Sequence, residues 1–468
     1  KDVDPNIVRK LLAQYPDFFK EHVLGRDVFL TYRVPNPSVE GAERKGLIEA
    51  LESIPRCCDV ARSFHQKNVV PPIFEVILPF TTSHLELLRV LSCYCKIIVG
   101  KGRMRLHDLE DLSVEEWVGS FEPKSIELIP LIEDKESLST IDRILAGYIE
   151  HSKPPYLRVF LARSDPALNY SVFSAVLLSK IALSKIHRLS QTTGVEIFPI
   201  IGTGSLPFRG HLMPDNIEGF LEEYAGVTTV TVQSALKYDF PEEVVNKLVR
   251  RLNRELAKRR AKAMDEEEEG KIQKIVETMT RSYQKRVESL SNLINFLANY
   301  IPKRRARKLH IGLFGYSRDM GGVRLPRAIG FTASMYSLGI PPELLGVSAL
   351  AGLSDEEWGL LDEHYVNWRR DLECASEFLC WQNLNYLMGE REVVEEITER
   401  FGIREVLPEI VGDIHTLEEV TGIKAGPRNL DHRKHENIVN NILIAMVENP
   451  GEITRYVVEA GRIRHSLG

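Results

Sequence analysis

A chain of 468 residues, 43% hydrophobic and 27% charged, is long enough to bury a large core and falls among ordinary soluble globular proteins. Its net charge of −6 argues against a general nucleic-acid binder. No apolar run approaches the roughly 18 residues of a membrane span, and no signal peptide is visible, so a cytoplasmic protein with no membrane partner is expected. In chain order, short aliphatic or β-branched runs occur at Val28–Tyr32, Phe74–Leu78, Ile126–Leu131, Arg158–Ala162, Glu196–Ile201, Thr229–Val232, Lys308–Leu313 and Leu345–Val347. Segments of helical period separate them, such as Ser171–Leu189 with Val172, Ala175, Val176, Ile181 and Ala182 on one face. Eight alternations predict an α/β fold, a (β/α)8 TIM-like barrel with additional helices, forming a single domain over 1–468 with a helical elaboration from about 354. Such a barrel carries its site at the carboxyl ends of the strands, but the alternation by itself names no function.

Several other features read as structural. Cys57-Cys58, Cys93-x-Cys95, Cys374 and Cys380 lack paired zinc spacing and are expected as reduced thiols. The basic run Lys303–Lys308 reads as a solvated turn, and Arg250 to Lys262 followed by Asp265–Glu269 as an exposed helix with a charged connection. His432-x-x-His435-Glu436 is not a zincin order and is expected as a polar loop before a helix start at Asn437.

The strand ends are more specific. Arg33 follows the first strand, Thr81-Thr82-Ser83 the second, Glu133-Asp134 the third and Arg163-Ser164-Asp165 the fourth. The fifth runs into Gly202-Thr-Gly-Ser-Leu-Pro-Phe-Arg-Gly-His211, the sixth into Gln233 and Lys237, and the seventh into Gly315-Tyr-Ser-Arg318 with Arg327 nearby. Successive strands that end in Glu133 and Asp165 suit an oxygen-ligand metal site. Several arginines beside them point to a metal-bound, multiply anionic substrate. Gly202-x-Gly204 is not a dinucleotide fingerprint, since Pro207 stands where the third glycine belongs. Gly202, Thr203, Gly204, Ser205 and Gly210 instead suit a mobile loop that closes over an anion, with Arg209 pointing inward.

These stretches resemble the archaeal-type phosphoenolpyruvate carboxylases over nearly the whole chain. The resemblance rests on Tyr32-Arg-Val-Pro-Asn-Pro37, Phe74-Glu-Val-Ile-Leu-Pro79, Ala162-Arg-Ser-Asp-Pro-Ala-Leu-Asn-Tyr170, Pro207-Phe-Arg-Gly210, Gly312-Leu-Phe-Gly-Tyr-Ser-Arg318 and Leu325-Pro-Arg-Ala-Ile329. It implies a barrel-based homotetramer that joins phosphoenolpyruvate and bicarbonate, with magnesium (manganese as an alternative), to give oxaloacetate and phosphate. Through the longer, distantly similar bacterial and plant enzymes it implies Glu133 and Asp165 as metal ligands, Arg209 as the glycine-loop arginine, and Arg33, Arg318 and Arg327 as phosphate-side arginines. Arg163, Gln233 and Lys237 are further rim candidates. Thr203 falls where the longer enzymes carry another loop arginine. The family's Thr-x-His-Pro element, with its proposed basic histidine, has no counterpart here, so an amino-terminal piece is expected to be missing before Lys1.

The implied chemistry suits the residue types. Magnesium on Glu133 and Asp165 would hold the substrate's carboxylate and enol oxygen. Bicarbonate attack on phosphorus gives carboxyphosphate and an enolate, while arginines neutralise the transferring oxygens. Closure of the 202–210 loop excludes the water that would divert the enolate to pyruvate. Two alternatives stand beside this reading: a metal-dependent 2-oxo-acid aldolase or lyase, which needs fewer phosphate-side arginines, and a non-catalytic anion-binding barrel, favoured if the base is truly absent.

Overall fold

Strands form where apolar runs are buried on both faces, as the interior of a parallel sheet requires. In the computed structural model, which describes residues 3–66, 70–302, 318–320, 323–389 and 392–468, six strands lie parallel in one sheet, Glu127–Ile132 being the most fully buried of them. They are β1 (Tyr32–Arg33), β2 (Glu75–Leu78), β3 (Glu127–Ile132), β4 (Tyr156–Ala162), β5 (Glu196–Gly202) and β6 (Thr229–Val230), and their order in the sheet follows the sequence. The fold is thus mixed α/β with a parallel sheet and many helices. An eight-stranded barrel is not what the described residues form. The seventh expected strand, Lys308–Leu313, lies outside them. The eighth, Leu345–Val347, is not a strand: the chain makes 3-10 turns at Pro342–Leu344 and Val347–Gly352, with Gly346 between them at φ +74°. Pro341 and Pro342 remove two backbone donors just upstream, which leaves little for a ladder to use.

The chain divides into two compact units, Lys1–Phe160 with Arg188–Phe198, and Leu161–His187 with Pro199–Gly468. In the first, β1 pairs with β2 (Tyr32 opposite Val76) and β2 with β3 (Leu78 opposite Pro130). Glu75 begins β2 deeply buried, and its charge is met there by Arg158, whose Nη1 lies 2.9 and 2.7 Å from the two carboxylate oxygens. The helix His84–Ser92 follows β2 behind a complete capping box, Ser83 with Glu86.

In the second unit, Ile200 of β5 stands opposite Thr229 of β6. The helix expected over Ser171–Leu189 runs Val172–Thr193, and its Ser174 Oγ donates to the Val276 carbonyl at 3.1 Å. That carbonyl belongs to the 33-residue helix Glu266–Ala298, whose N-cap Asp265 accepts the Glu268 N–H at 2.8 Å. The acidic run Asp265–Glu269 is therefore a helix start rather than a connection, as carboxylates at the positive end of a helix dipole should be. Likewise, the helix expected from Asn437 begins at Leu430, because Asn429 caps it through the His432 N–H at 2.8 Å. The region after residue 354 is helical, as expected, from Asp355–His364 to Ile453–Ile463. All six cysteines are free thiols.

Candidate active site

In the first unit the ends of β1, β2 and β3 are stitched together. The Val34 N–H continues the ladder to the Ile77 carbonyl at 3.1 Å, and the Asn36 amide donates to the Pro79 carbonyl at 2.9 Å. Phe80, next along and held at φ +52°, donates its N–H to Glu133 Oε2 at 2.9 Å. Glu133 is 5% exposed and fixed as an acceptor at the carboxyl end of β3. Arg33, half-buried, sits at the same edge in register with Ile77.

In the second unit Asp165 stands in the first turn of the helix Ser164–Tyr170, directly after β4. The loop after β5 is closed by its own backbone. Gly204 donates to the Arg209 carbonyl at 2.7 Å, Leu212 to the Gly204 carbonyl at 3.0 Å, and Thr203 N–H to Thr231 Oγ1 at 3.0 Å. Gly210 lies at φ +110°, and a Cβ there would meet Thr203 Cγ2 at 2.7 Å, so both backbone angle and space require glycine. Residues 203–212 are all buried. Among the described residues, the buried Thr203 and Ser205 hydroxyls have no hydrogen-bond partner.

Arg209 is only 7% exposed. Its guanidinium donates to Ser164 Oγ (3.2 Å), Gln233 Oε1 (2.5 Å) and the Gly468 carbonyl oxygen (2.7 Å). Burial pulls it down to about 10; the negative charge of Asp165 opposes that and the positive charge of Arg327 adds to it. Asp165, Arg209, Arg327 and Gln233 are therefore brought into one electrostatic neighbourhood. Arg327 occupies the N-cap of the helix Ala328–Ser337.

The other candidates differ in burial and surroundings. Arg163 is not on a rim: it is fully buried, donating to Tyr224 Oη at 2.8 Å, to the Phe208 carbonyl at 3.2 Å and to the Pro207 carbonyl at 3.4 Å. Lys237 is exposed over the Tyr238 ring. The backbone of Arg318 pairs with Leu325 in a two-stranded ribbon. Missed from sequence were Glu343, which accepts the Phe208 N–H at 2.7 Å, and the pair His211–Asp371, Nδ1 to Oδ1 2.5 Å. A histidine directly after Gly210 was the only local signal for the latter.

Glu133 and Asp165 are carboxylates, the hard oxygen donors that magnesium or manganese take, so their chemistry fits a divalent cation. A second group, Glu268, Glu363 and His364, brings potential ligand atoms within 4.8 Å of one another. Lys262 already pairs with Glu363, and His364 Nε2 lies 2.6 Å from Glu268 Oε1. Among the described residues, no helix is long and apolar enough to cross a membrane.

The sequence matches the phosphoenolpyruvate carboxylase family over residues 1–468. A phosphoenolpyruvate carboxylase of Metallosphaera sedula is 46% identical over 469 residues, covering all of this chain and 89% of that protein. One from Caldivirga maquilingensis is 43% identical over 470 residues, with 100% and 90% covered, and one from Methanospirillum hungatei is 50% identical over 380 residues, with 81% and 76% covered.

Proposed function

Since this chain belongs to the phosphoenolpyruvate carboxylase family and is a carbon–carbon lyase that converts phosphoenolpyruvate and bicarbonate to oxaloacetate and phosphate, we propose that turnover centres on the buried Arg209 neighbourhood together with the acids after β3 and β4. The carrying observation is Arg209 itself. A guanidinium this buried, with Asp165 and Arg327 in its field and Ser164 Oγ and Gln233 Oε1 among its direct partners, supports a role on an anion.

Glu133 and Asp165, each placed immediately after a parallel strand, are the residues that would hold magnesium or manganese, which would supply positive charge to the substrate's carboxylate and enol oxygen. Arg327, with Arg33 and Arg318, neutralises the charge that spreads over the transferring phosphoryl oxygens as bicarbonate attacks phosphorus. Planar guanidinium forks suit those oxygens better than lysines would. The 203–210 loop, with the Thr203 and Ser205 hydroxyls, keeps water from the enolate, which would otherwise be protonated to pyruvate. Arg163 serves this by holding the loop carbonyls rather than by touching substrate. A cytoplasmic homotetramer completes the reading.

Purified protein is tested for oxaloacetate and phosphate formation that depends on both bicarbonate and a divalent cation. The variants Asp165→Asn and Glu133→Gln should lose cation-dependent turnover while keeping the fold, because strand-end carboxylates contribute charge rather than core packing. Near-normal activity in either at saturating cation would remove that residue from the metal site. Cation-dependent cleavage of a 2-oxo acid with no bicarbonate-dependent phosphate release would favour the aldolase or lyase reading instead.

A further inference from the structure

The backbone bonds inside the glycine loop fix its shape but not its place. Its place depends on side chains reaching in from elsewhere, and one of these anchors comes from the loop itself. His211, directly after Gly210, is a non-glycine residue at φ +54° and 2% exposed. A left-handed histidine in the interior persists only where its surroundings hold it. Here its N–H donates to the Leu206 carbonyl at 3.1 Å, and its own carbonyl accepts the Asn216 amide at 3.0 Å.

The ring is held by the helix Trp368–Ser376. Nδ1 lies 2.5 Å from Asp371 Oδ1, and the Cys374 thiol, one turn on, meets the same ring. Asp371 is itself immobilised: its Oδ2 accepts the Tyr365 hydroxyl at 2.6 Å, and its N–H is spent on the Asn367 carbonyl at 2.9 Å. Burial opposes a charge on His211, but Asp371 outweighs it and pushes the imidazole up to about 10. A buried ion pair is poor evidence of stability, and its better-attested use is to fix one arrangement among several.

We propose that His211 and Asp371 form a positioning dyad that sets the glycine loop so that Arg209, two residues away, reaches Ser164, Gln233 and the field of Asp165. Neither residue touches substrate. The dyad acts through Arg209, and so rests on the assignment of Arg209 to the site. A loop released from this anchor shifts its arginine, and sub-ångström to 1 Å displacements of a positioned group cost turnover steeply.

The test uses the full chain and measures the ratio of pyruvate to oxaloacetate in His211→Ala, Asp371→Asn, the double variant and Arg209→Ala. Misfolded molecules make neither product, so the ratio is blind to a purely structural loss. In both single variants the pyruvate share should rise about tenfold, with KM for phosphoenolpyruvate changed less than about threefold. The double variant should be no worse than the singles, because the two residues act as a unit. His211→Asn, which tolerates the left-handed backbone and keeps a donor for Asp371, should recover most of the wild-type ratio and stands in if the alanine variant fails to fold. A wild-type ratio in folded His211 and Asp371 variants, while Arg209→Ala raises pyruvate, overturns the dyad alone. Additive effects in the double variant overturn it as well. An unchanged ratio in Arg209→Ala overturns the assignment of Arg209 and the dyad's role with it.

Discussion

Replacing Arg163 by methionine separates two meanings of a strand-end arginine. Methionine fills much of the same volume but withdraws the hydrogen bonds to Tyr224, Phe208 and Pro207. The Pro207 carbonyl keeps the Gly210 N–H at 3.0 Å, whereas the Phe208 carbonyl loses its side-chain donor, at a cost of about 1–3 kcal/mol for a buried orphan. Asp371 also loses a nearby buried cation. Removing one partner of a buried charge pair costs about 3–5 kcal/mol, but Asp371 retains His211 and Tyr365, so only a fraction of that applies. Relief of the arginine's own desolvation offsets part of the sum, which leaves about 2–4 kcal/mol of lost stability. Urea titration followed by tryptophan fluorescence would read this as a lower midpoint at unchanged slope. The reasoning fails if stability stays within about 0.5 kcal/mol of the wild type while turnover disappears, because Arg163 would then be acting on substrate.

Burial lifts the Glu343 carboxyl from 4.5 to about 7, against the hydrogen bonds from Phe208 N–H and Tyr336 Oη. The folded state therefore keeps a proton that the unfolded chain releases, so this group's stabilisation is complete below its unfolded value and fades as pH climbs from 4.5 to about 7. Glu343→Gln should flatten the unfolding free energy across that window, and an equal slope in both proteins would rule the group out. Arg327→Lys keeps the charge but not the fork, and should raise the barrier by about 3 kcal/mol in kcat/KM at saturating cation; a change below about threefold would remove Arg327 from the transferring phosphoryl group. Gly210→Ala, forced to φ +110° and onto Thr203 Cγ2, should cost about 1–3 kcal/mol in thermal unfolding, and Thr203→Ser in the same chain should return part of it by removing that methyl; no recovery would show that the backbone angle alone sets the cost.

Strands β2 to β5 were legible in the sequence because buried parallel strands are near-continuous apolar runs, and Ile126–Leu131 is one. The same rule failed at Leu345–Val347. Two apolar residues around a glycine fit a 3-10 turn equally well, and only the preceding prolines and Gly346 argued for it. Helix starts were missed where side chains decided them: Asp265 and Asn429 act through their own oxygens, which an apolar period does not register. Asp165 and Arg209 were visible as charges interrupting apolar context. The partner of His211 lies 160 residues further on, and a hydrogen bond of that span leaves no local trace. Arg163 was visible as an unusual residue, but whether its cation meets substrate or loop carbonyls depends on where Pro207 and Phe208 fold back.

The bond from Arg209 to the Gly468 carbonyl oxygen links residues 259 positions apart, and Gly468 fits so closely that a Cβ on it would stand 2.3 Å from the Ile329 carbonyl oxygen. During synthesis, the loop and both of its neighbouring strands leave the ribosome long before residue 468 exists. At about 5–20 residues per second, well over ten seconds separate the two. Throughout that interval Arg209 lacks one of its three oxygen partners. Any nascent chain that stops short of residue 468 carries the sheet and the loop but an Arg209 without that partner, so the setting of this side chain waits on residues made far later than the loop itself.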